Sequence, residues 1–289
     1  MRIFYYAHTG HRIGLDRFRR AAAIIKMLQP YTEITLLTSD YRIASVAREY
    51  GVCNCVGIDV VRNIANIAEN GDKLIFDSEE ANPIMLEDMR SFFSTFIHVN
   101  DDPSYTPAAN EFVLSPYLSE NDHVCNSIIV DTDYFQENQN TTPLSFFFGD
   151  DDYEKDLEKH LDFVPKEAAL GMGFYYFLDY EAMLEKKFKK VFEFDAYQEM
   201  ILSSSTLLSA SPQAILESLA SGAKPIYFQR EDYPTHFQQL FQQYGVEIIQ
   251  NYNKEQLQKR LTNLSSYTPS KIDNLSNKTK EILRNWLDL

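Results

Sequence analysis

The alternation of short apolar runs with amphipathic stretches, restarted once after a polar interruption, constrains this chain more than any other feature. Ile3–Ala7, Glu33–Thr38, Cys53–Ile58, Lys73–Asp77, Thr95–Val99, Glu111–Leu114 and Ser127–Asp131 have strand length and strand composition. Leu15, Phe18, Ala22 and Ile25 recur at three- and four-residue spacing between the first two and so share one helix face. Residues 132–143 include Asp133, Asn138, Asn140, Thr141, Thr142 and Pro143, which marks a linker. Beyond it, Ser145–Gly149, Gly173–Leu178, Val191–Phe194, Thr206–Ala210, Pro225–Gln229 and Val246–Gln250 read as strands. Helical patterns fall at residues 153–160, 212–220, 235–244, 254–264 and 274–286.

Strand and helix in alternation predict an α/β fold with parallel sheets covered by helices. At 289 residues the chain exceeds the roughly 100–200 of one domain, so two domains are expected, residues 1–140 and 141–289, with the last helix packing back on the first. Two such halves place a cleft at the carboxyl ends of their sheets. With 44% hydrophobic residues the chain is no disordered polymer.

A net charge of −15 repels phosphate backbones, so no nucleic-acid partner is expected. The basic cluster Arg17, Arg19 and Arg20 reads as a solvated helix face. Cys53, Cys55 and Cys125 are odd in number and lack zinc-type spacing, which suggests free thiols. Met1 leads directly into a strand, and no apolar run approaches the roughly 20 residues of a membrane span. The expectation is a cytoplasmic chain without a transmembrane segment, its oligomeric state open.

The sharpest local signal runs from Ser203 to Gly222. A strand ends in small hydroxyl residues, Ser211 suits a helix cap, Pro212 the first helical position and Gly222 the stop. Such a helix start presents backbone N–H groups and a positive dipole end to an anion, a diphosphate among them. Glu217 lies on a small or polar face with Gln213, Ala214, Ser218 and Ser221, where it can accept from the vicinal hydroxyls of a ribose; the bland alternative is a solvated carboxylate.

The loop after the first strand, residues 8–17, offers His8, His11, Arg12 and Arg17 with Gly10 and Gly14. Its imidazoles suit proton transfer and its guanidinium groups suit a phosphate or a carboxylate. Two acidic clusters, Asn100-Asp101-Asp102 and Gly149-Asp150-Asp151-Asp152, suit Mg²⁺, a general base or plain helix caps. Nothing in the sequence selects the metal among these.

In order and spacing of motifs over residues 2–250 the chain resembles the UDP-sugar hydrolases of pseudaminic-acid biosynthesis. Its second half is similar to the N-acetylglucosaminyltransferase that completes lipid II. That resemblance implies the GT-B architecture, two Rossmann-like domains, and a UDP-activated sugar as substrate with an unidentified acceptor. The hydrolase loop, roughly Ile-Gly-x-Gly-His-x-x-Arg, falls on Ile13–Arg20: Gly14 and Arg20 match, while Asp16 replaces the second Gly and Arg17 the His that activates water. An arginine stays protonated and cannot be that base. Leu74–Asp77 and Asp101-Asp102 correspond in spacing, and the family's Gly-Gly-x-Asp loop becomes Gly149–Asp152. The resemblance assigns Glu217 to the ribose and His236, Gln238 and Gln239 to the neighbourhood of the donor sugar.

The resulting expectation is a nucleotide-sugar-dependent glycosyltransferase-like protein of surface-glycan or glycoprotein biosynthesis. Its nucleotide-sugar residues are Gly14, Gly149, Ser209, Ser211, Glu217, His236 and Gln238, and its catalytic candidates are Asp16, His11, Arg17 and Asp101. The alternatives are a divergent nucleotide-sugar hydrolase using His11 and a GT-B module that binds without turnover.

Overall fold

The computed structural model describes residues 1–80 and 82–289 and divides into two compact units. The first comprises Met1–Gly10, Arg17–Asp131 and Leu275–Leu289; the second comprises His11–Asp16 and Thr132–Asn274.

In the first unit, β1 (Ile3–Ala7), β2 (Ile34–Thr38), β3 (Cys55–Gly57), β4 (Lys73–Asp77), β5 (Thr95–Val99), β6 (Phe112–Ser115) and β7 (Val124–Asn126) form one parallel sheet in the order β3-β2-β1-β4-β5-β6-β7. α1 (Asp16–Leu28), whose first residue groups with the second unit, is followed by α2 (Ile43–Val46), α3 (Ile64–Ile67) and α4 (Pro83–Phe92). Strands covered on both faces need continuous apolar runs, and β1, β4 and β5 are buried along their whole length. Phe4, Tyr6, Leu74, Phe76 and Phe96 fill one core. Each large apolar side chain taken fully out of water contributes about 1.5–3 kcal/mol.

The second unit repeats the plan. β8 (Ser145–Phe147), β9 (Ala169–Gly171), β10 (Val191–Phe192), β11 (Thr206–Ser209), β12 (Lys224–Gln229) and β13 (Glu247–Gln250) are parallel, in the order β10-β9-β8-β11-β12-β13. Its helices are α5 (Asp156–Lys159), α6 (Leu178–Glu185), α7 (Tyr197–Ser203), α8 (Pro212–Ser221), α9 (Phe237–Gln243) and α10 (Lys254–Thr262). Phe146, Phe148, Leu170, Tyr180, Leu208 and Phe228 centre its core. The second unit thus has the doubly wound 3-2-1-4-5-6 strand order and the first the same order extended by a seventh strand, the direction reversing between β1 and β4 and between β8 and β11.

The last helix, α11 (Ser276–Trp286), belongs to the first unit. Trp286 stacks on Phe112 at 4.7 Å, and the Thr279 and Ser127 hydroxyls are 2.7 Å apart. The buried ammonium of Lys73 donates to the Leu287 carbonyl and, at 2.7 Å, to Asp288. A lysine inside β4 is tolerated because the segment after α11 brings these acceptors to it.

Several sequence expectations need correction. Residues 127–131 are no strand: β7 ends at Asn126, and although Ile129 and Val130 are buried, no further strand pairs there. The aromatic run Gly173–Leu178 is no strand either. The pairing falls to Ala169–Gly171, and the aromatic run turns back, with Tyr176 N–H donating to the Gly173 carbonyl at 3.1 Å. A Cβ on Gly173 would lie 2.5 Å from the Gly149 carbonyl oxygen, so this turn needs a glycine. The helix expected over 153–160 spans only Asp156–Lys159. Arg17, Arg19 and Arg20 are not a solvated face: Arg19 is buried and the other two lie in ion pairs. Among the described residues no helix is long and apolar enough to cross a membrane.

Candidate functional site

The start of α8 lies at the carboxyl end of β11, beside the strand-order reversal of the second unit. Its local chemistry follows the sequence: the Ser211 hydroxyl accepts from Ala214 N–H at 3.1 Å, Pro212 opens the helix, and Gly222 closes it at φ 78°. Ser209 is also in place, its Oγ accepting from Ser211 N–H at 3.1 Å.

The anion at this helix start comes from the chain itself. Asp16 Oδ1 accepts from the Ser211 hydroxyl at 2.6 Å, and its Oδ2 accepts from Gln213 N–H at 3.1 Å. A carboxylate held by a hydroxyl and a helix-terminal N–H is favoured by hydrogen bonding and by the dipole together. Both carboxylate oxygens of Asp16 thus receive a hydrogen bond at this helix start.

Glu217 departs from the solvated reading. All ten residues of α8 are buried, and Glu217 is 1% exposed. Its Oε2 accepts from the Tyr197 hydroxyl at 2.6 Å and its Oε1 from the Gln213 side-chain amide at 3.0 Å. Two donors converge on one carboxylate, the arrangement a vicinal diol would offer.

The loop after β8 is equally occupied. Gly149 adopts φ 134°, open to glycine and rarely to other residues. Asp151 pairs with buried Arg230 at 3.1 Å and accepts from the Tyr233 hydroxyl at 2.8 Å, while its burial raises its carboxyl pKa. Asp152 accepts from Asp156 N–H at 2.7 Å and from the Tyr180 hydroxyl, so it caps the α5 turn. Among the described residues no group of three or more His, Cys, Asp or Glu is placed to hold a metal ion.

Gly14, at φ 78°, packs against this loop: a Cβ there would lie 3.2 Å from Asp151 Oδ1. His11 sits among aromatic rings, 5.0 Å from Tyr175 and stacked on Phe177 at 6.1 Å. His236 precedes α9 with its ring 4.4 Å from Phe237. Gln238 is one link in a side-chain ladder: it accepts from Gln250 and donates to Gln229, each at 3.0 Å, and Gln229 donates to the Arg230 and Tyr233 carbonyls. That ladder shapes the 230–236 loop.

Arg17 and Asp101 lie in the first unit. Arg17 pairs with Glu79. Asp101 accepts two bonds from Arg20, at 2.8 and 3.0 Å, and Arg20 also grips Asp77 through two more at 2.7 and 2.9 Å. An Asp so paired is a poor proton acceptor. His8, at the strand-order reversal of this sheet, has different surroundings. Its Nε2 is 3.7 Å from Glu80, its Nδ1 is enclosed without a hydrogen-bond partner, and burial lowers its pKa. The adjacent Thr9 hydroxyl is likewise buried and unpartnered.

The four catalytic candidates thus divide: His11 and Asp16 belong to the second unit, Arg17 and Asp101 to the first. Sequence reasoning missed Tyr197, Arg230, Tyr233 and Glu80. The Gln213–Glu217 contact alone was legible, as a pair four residues apart on a helix.

No family model matches the chain, and no curated protein matches it by sequence. Solved structures do match over nearly their whole length. Methanocaldococcus jannaschii UDP-GlcNAc 2-epimerase in complex with UDP-GlcNAc and UDP has a TM-score of 0.62 at 12% identity, covering 100% of both chains. S. aureus MnaA, solved with UDP, gives a TM-score of 0.62 at 12% identity over 100% of this chain and 98% of that one. Anabaena Alr3699/HepE in complex with UDP and glucose gives 0.55 at 12% identity, covering 99% and 95%. The chain has the fold of these proteins, two Rossmann-like units of the GT-B type.

Proposed function

We propose that the second unit binds the nucleoside diphosphate of an activated sugar, a UDP-sugar in first place, and that the protein is a nucleotide-sugar-dependent glycosyltransferase. The observation that carries this reading is the Asp16 carboxylate on Ser211 and Gln213: a hydroxyl and a helix-terminal N–H hold a pair of carboxylate oxygens there, donors of the kind a phosphate uses. The fold it shares with proteins solved with UDP and UDP-GlcNAc supports it. The resemblance to the UDP-sugar hydrolases and the lipid II enzyme agrees, and it gives Glu217 the ribose. For chemistry on an acceptor hydroxyl we assign the proton to His8. Burial lowers the pKa of that imidazole, which favours its proton-accepting form, and Glu80 lies 3.7 Å from its Nε2 to steady the charge that forms.

A second reading is a module that binds the sugar nucleotide without turnover. It is favoured by the hydrogen bonds that already occupy Asp16 and Asp101, two of the residues expected to act as bases.

Thermal melting with UDP, UDP-GlcNAc and related donors tests binding. A ligand at a hundredfold over its Kd adds about 2.7 kcal/mol to the folded state, a readable shift. Glu217→Ala should lose the UDP-dependent part. Stabilisation by no nucleotide sugar would sink the proposal. Release of UDP that depends on His8 separates the transferase from the silent module.

A further inference from the structure

We propose that the exposed side of α6, with the lysine turn that follows it, is a docking face for an anionic lipid bilayer. Glu185 is followed by Lys186-Lys187-Phe188-Lys189-Lys190, four positive charges within five residues of a chain whose net charge is −15. All four lysines are exposed. Lys155 and Lys159 of the same unit each lie against an aspartate, but the lysines of this turn do not. Lys190 is committed elsewhere, donating to the Thr142 hydroxyl at 2.9 Å and lying 4.2 Å over the Phe192 ring. The ammonium groups of Lys186, Lys187 and Lys189 enter no ion pair or hydrogen bond among the described residues.

The turn that carries them is fixed. Phe188 packs against the core of the unit, Lys187 N–H donates to the Leu184 carbonyl at 2.8 Å, and the Lys190 carbonyl accepts from Leu170 N–H at 3.0 Å. The one aromatic residue of the run is thus turned to the core and the lysines are left in water.

A second, independent feature of the same helix is apolar. Leu178 opens α6 and is 85% exposed, and Phe177 before it is 46% exposed. Tyr180 and Leu184 hold the buried side of α6, while Leu178, Ala182 and Lys186, four residues apart, run along the exposed one. That side passes from large apolar side chains to ammonium groups over about 12 Å, at 1.5 Å per residue.

An anionic bilayer matches both ends. Its head groups take the lysines, and the boundary beneath them takes Leu178 and Phe177. An acidic polypeptide would satisfy the lysines and leave Leu178 in water. Each lysine near an anionic surface raises partition about fivefold, so the three uncommitted ones give about a hundredfold. The acidic remainder of the chain is repelled by the same head groups, which turns this face toward the bilayer and makes attachment weaken with salt. The residues are distinct from those assigned to the sugar nucleotide, so the two readings fail independently.

Co-sedimentation of the full chain with sucrose-loaded vesicles tests the face, using phosphatidylcholine alone and phosphatidylcholine mixed with phosphatidylglycerol. The wild type should sediment with the mixed vesicles at about 0.1 M salt and be released at about 1 M, where the screening length falls to about 3 Å. Lys186→Gln/Lys187→Gln/Lys189→Gln should lower partition about a hundredfold, and Phe177→Ser/Leu178→Ser about tenfold or more. All five side chains are exposed, and unchanged melting temperatures would show that both variants are folded. Wild type that stays in the supernatant overturns the proposal, as does equal sedimentation with pure phosphatidylcholine. Partition left unchanged by either variant overturns it as well. Capture on immobilised polyglutamate with none on the mixed vesicles overturns it in favour of an acidic protein partner.

Discussion

The Tyr197 hydroxyl on α7 donates to Oε2 of Glu217 on α8 at 2.6 Å, joining two helices through a carboxylate that is 1% exposed. Removing a hydrogen bond to a buried carboxylate costs about 1–3 kcal/mol. Tyr197→Phe should therefore shift the urea midpoint of unfolding to lower concentration. If Glu217 holds a ribose, removing a competing hydroxyl should raise the affinity for UDP in the same variant, whereas Glu217→Ala should lower it. A variant that is destabilised yet binds UDP no better than the wild type would confine Glu217 to a structural role.

Arg20 is the second point of leverage, since it holds both Asp77 and Asp101 and has the Tyr5 hydroxyl beside it on Asp77 at 3.0 Å. Asp77 lies wholly buried at the end of β4. Burial raises its carboxyl pKa and the guanidinium offsets part of that rise. Breaking one side of a buried pair costs about 3–5 kcal/mol, because the remaining charge has no water to turn to. Arg20→Met should lose an amount of this order in denaturant unfolding, and Arg20→Met/Asp77→Asn should recover much of it. A loss under about 1 kcal/mol would mean that Asp77 is already satisfied without Arg20.

His98 sets a pH dependence. It is buried among Phe76, Phe96 and Tyr105, and burial lowers its pKa from 6.5 to about 4. Glu111 opposes that shift and Arg90 reinforces it. The unfolded chain takes up a proton near pH 6.5 while the folded chain waits until about pH 4, so between these values the unfolded state binds more protons. The stability from the neutral imidazole is therefore complete above pH 6.5 and falls as pH drops toward 4, by about 3 kcal/mol in all. Urea titrations at stepped pH should show that slope in the wild type and its flattening in His98→Phe.

The Ser203–Gly222 segment shows how much was legible. Ser211, Pro212 and Gly222 act where the sequence places them, because caps and stops depend on groups within a few residues. Most strands were legible for the same reason: a strand buried on both faces must be apolar throughout. The two misread strands are apolar runs whose fate depended on a neighbour. Residues 127–131 found no strand to pair with, and 173–178 turned because Gly173 packs on Gly149.

The sequence by itself determined two α/β halves, the helix start that favours an anion, and the residue types able to serve it. Tertiary structure alone decided what each polar group is bound to: Asp16 to Ser211 and Gln213, Glu217 to Tyr197, Arg20 to Asp77 and Asp101. Capping and periodicity act over one helical turn and are written locally. A buried charge takes whichever partner the topology brings within about 3 Å, and that partner can lie at any distance along the chain.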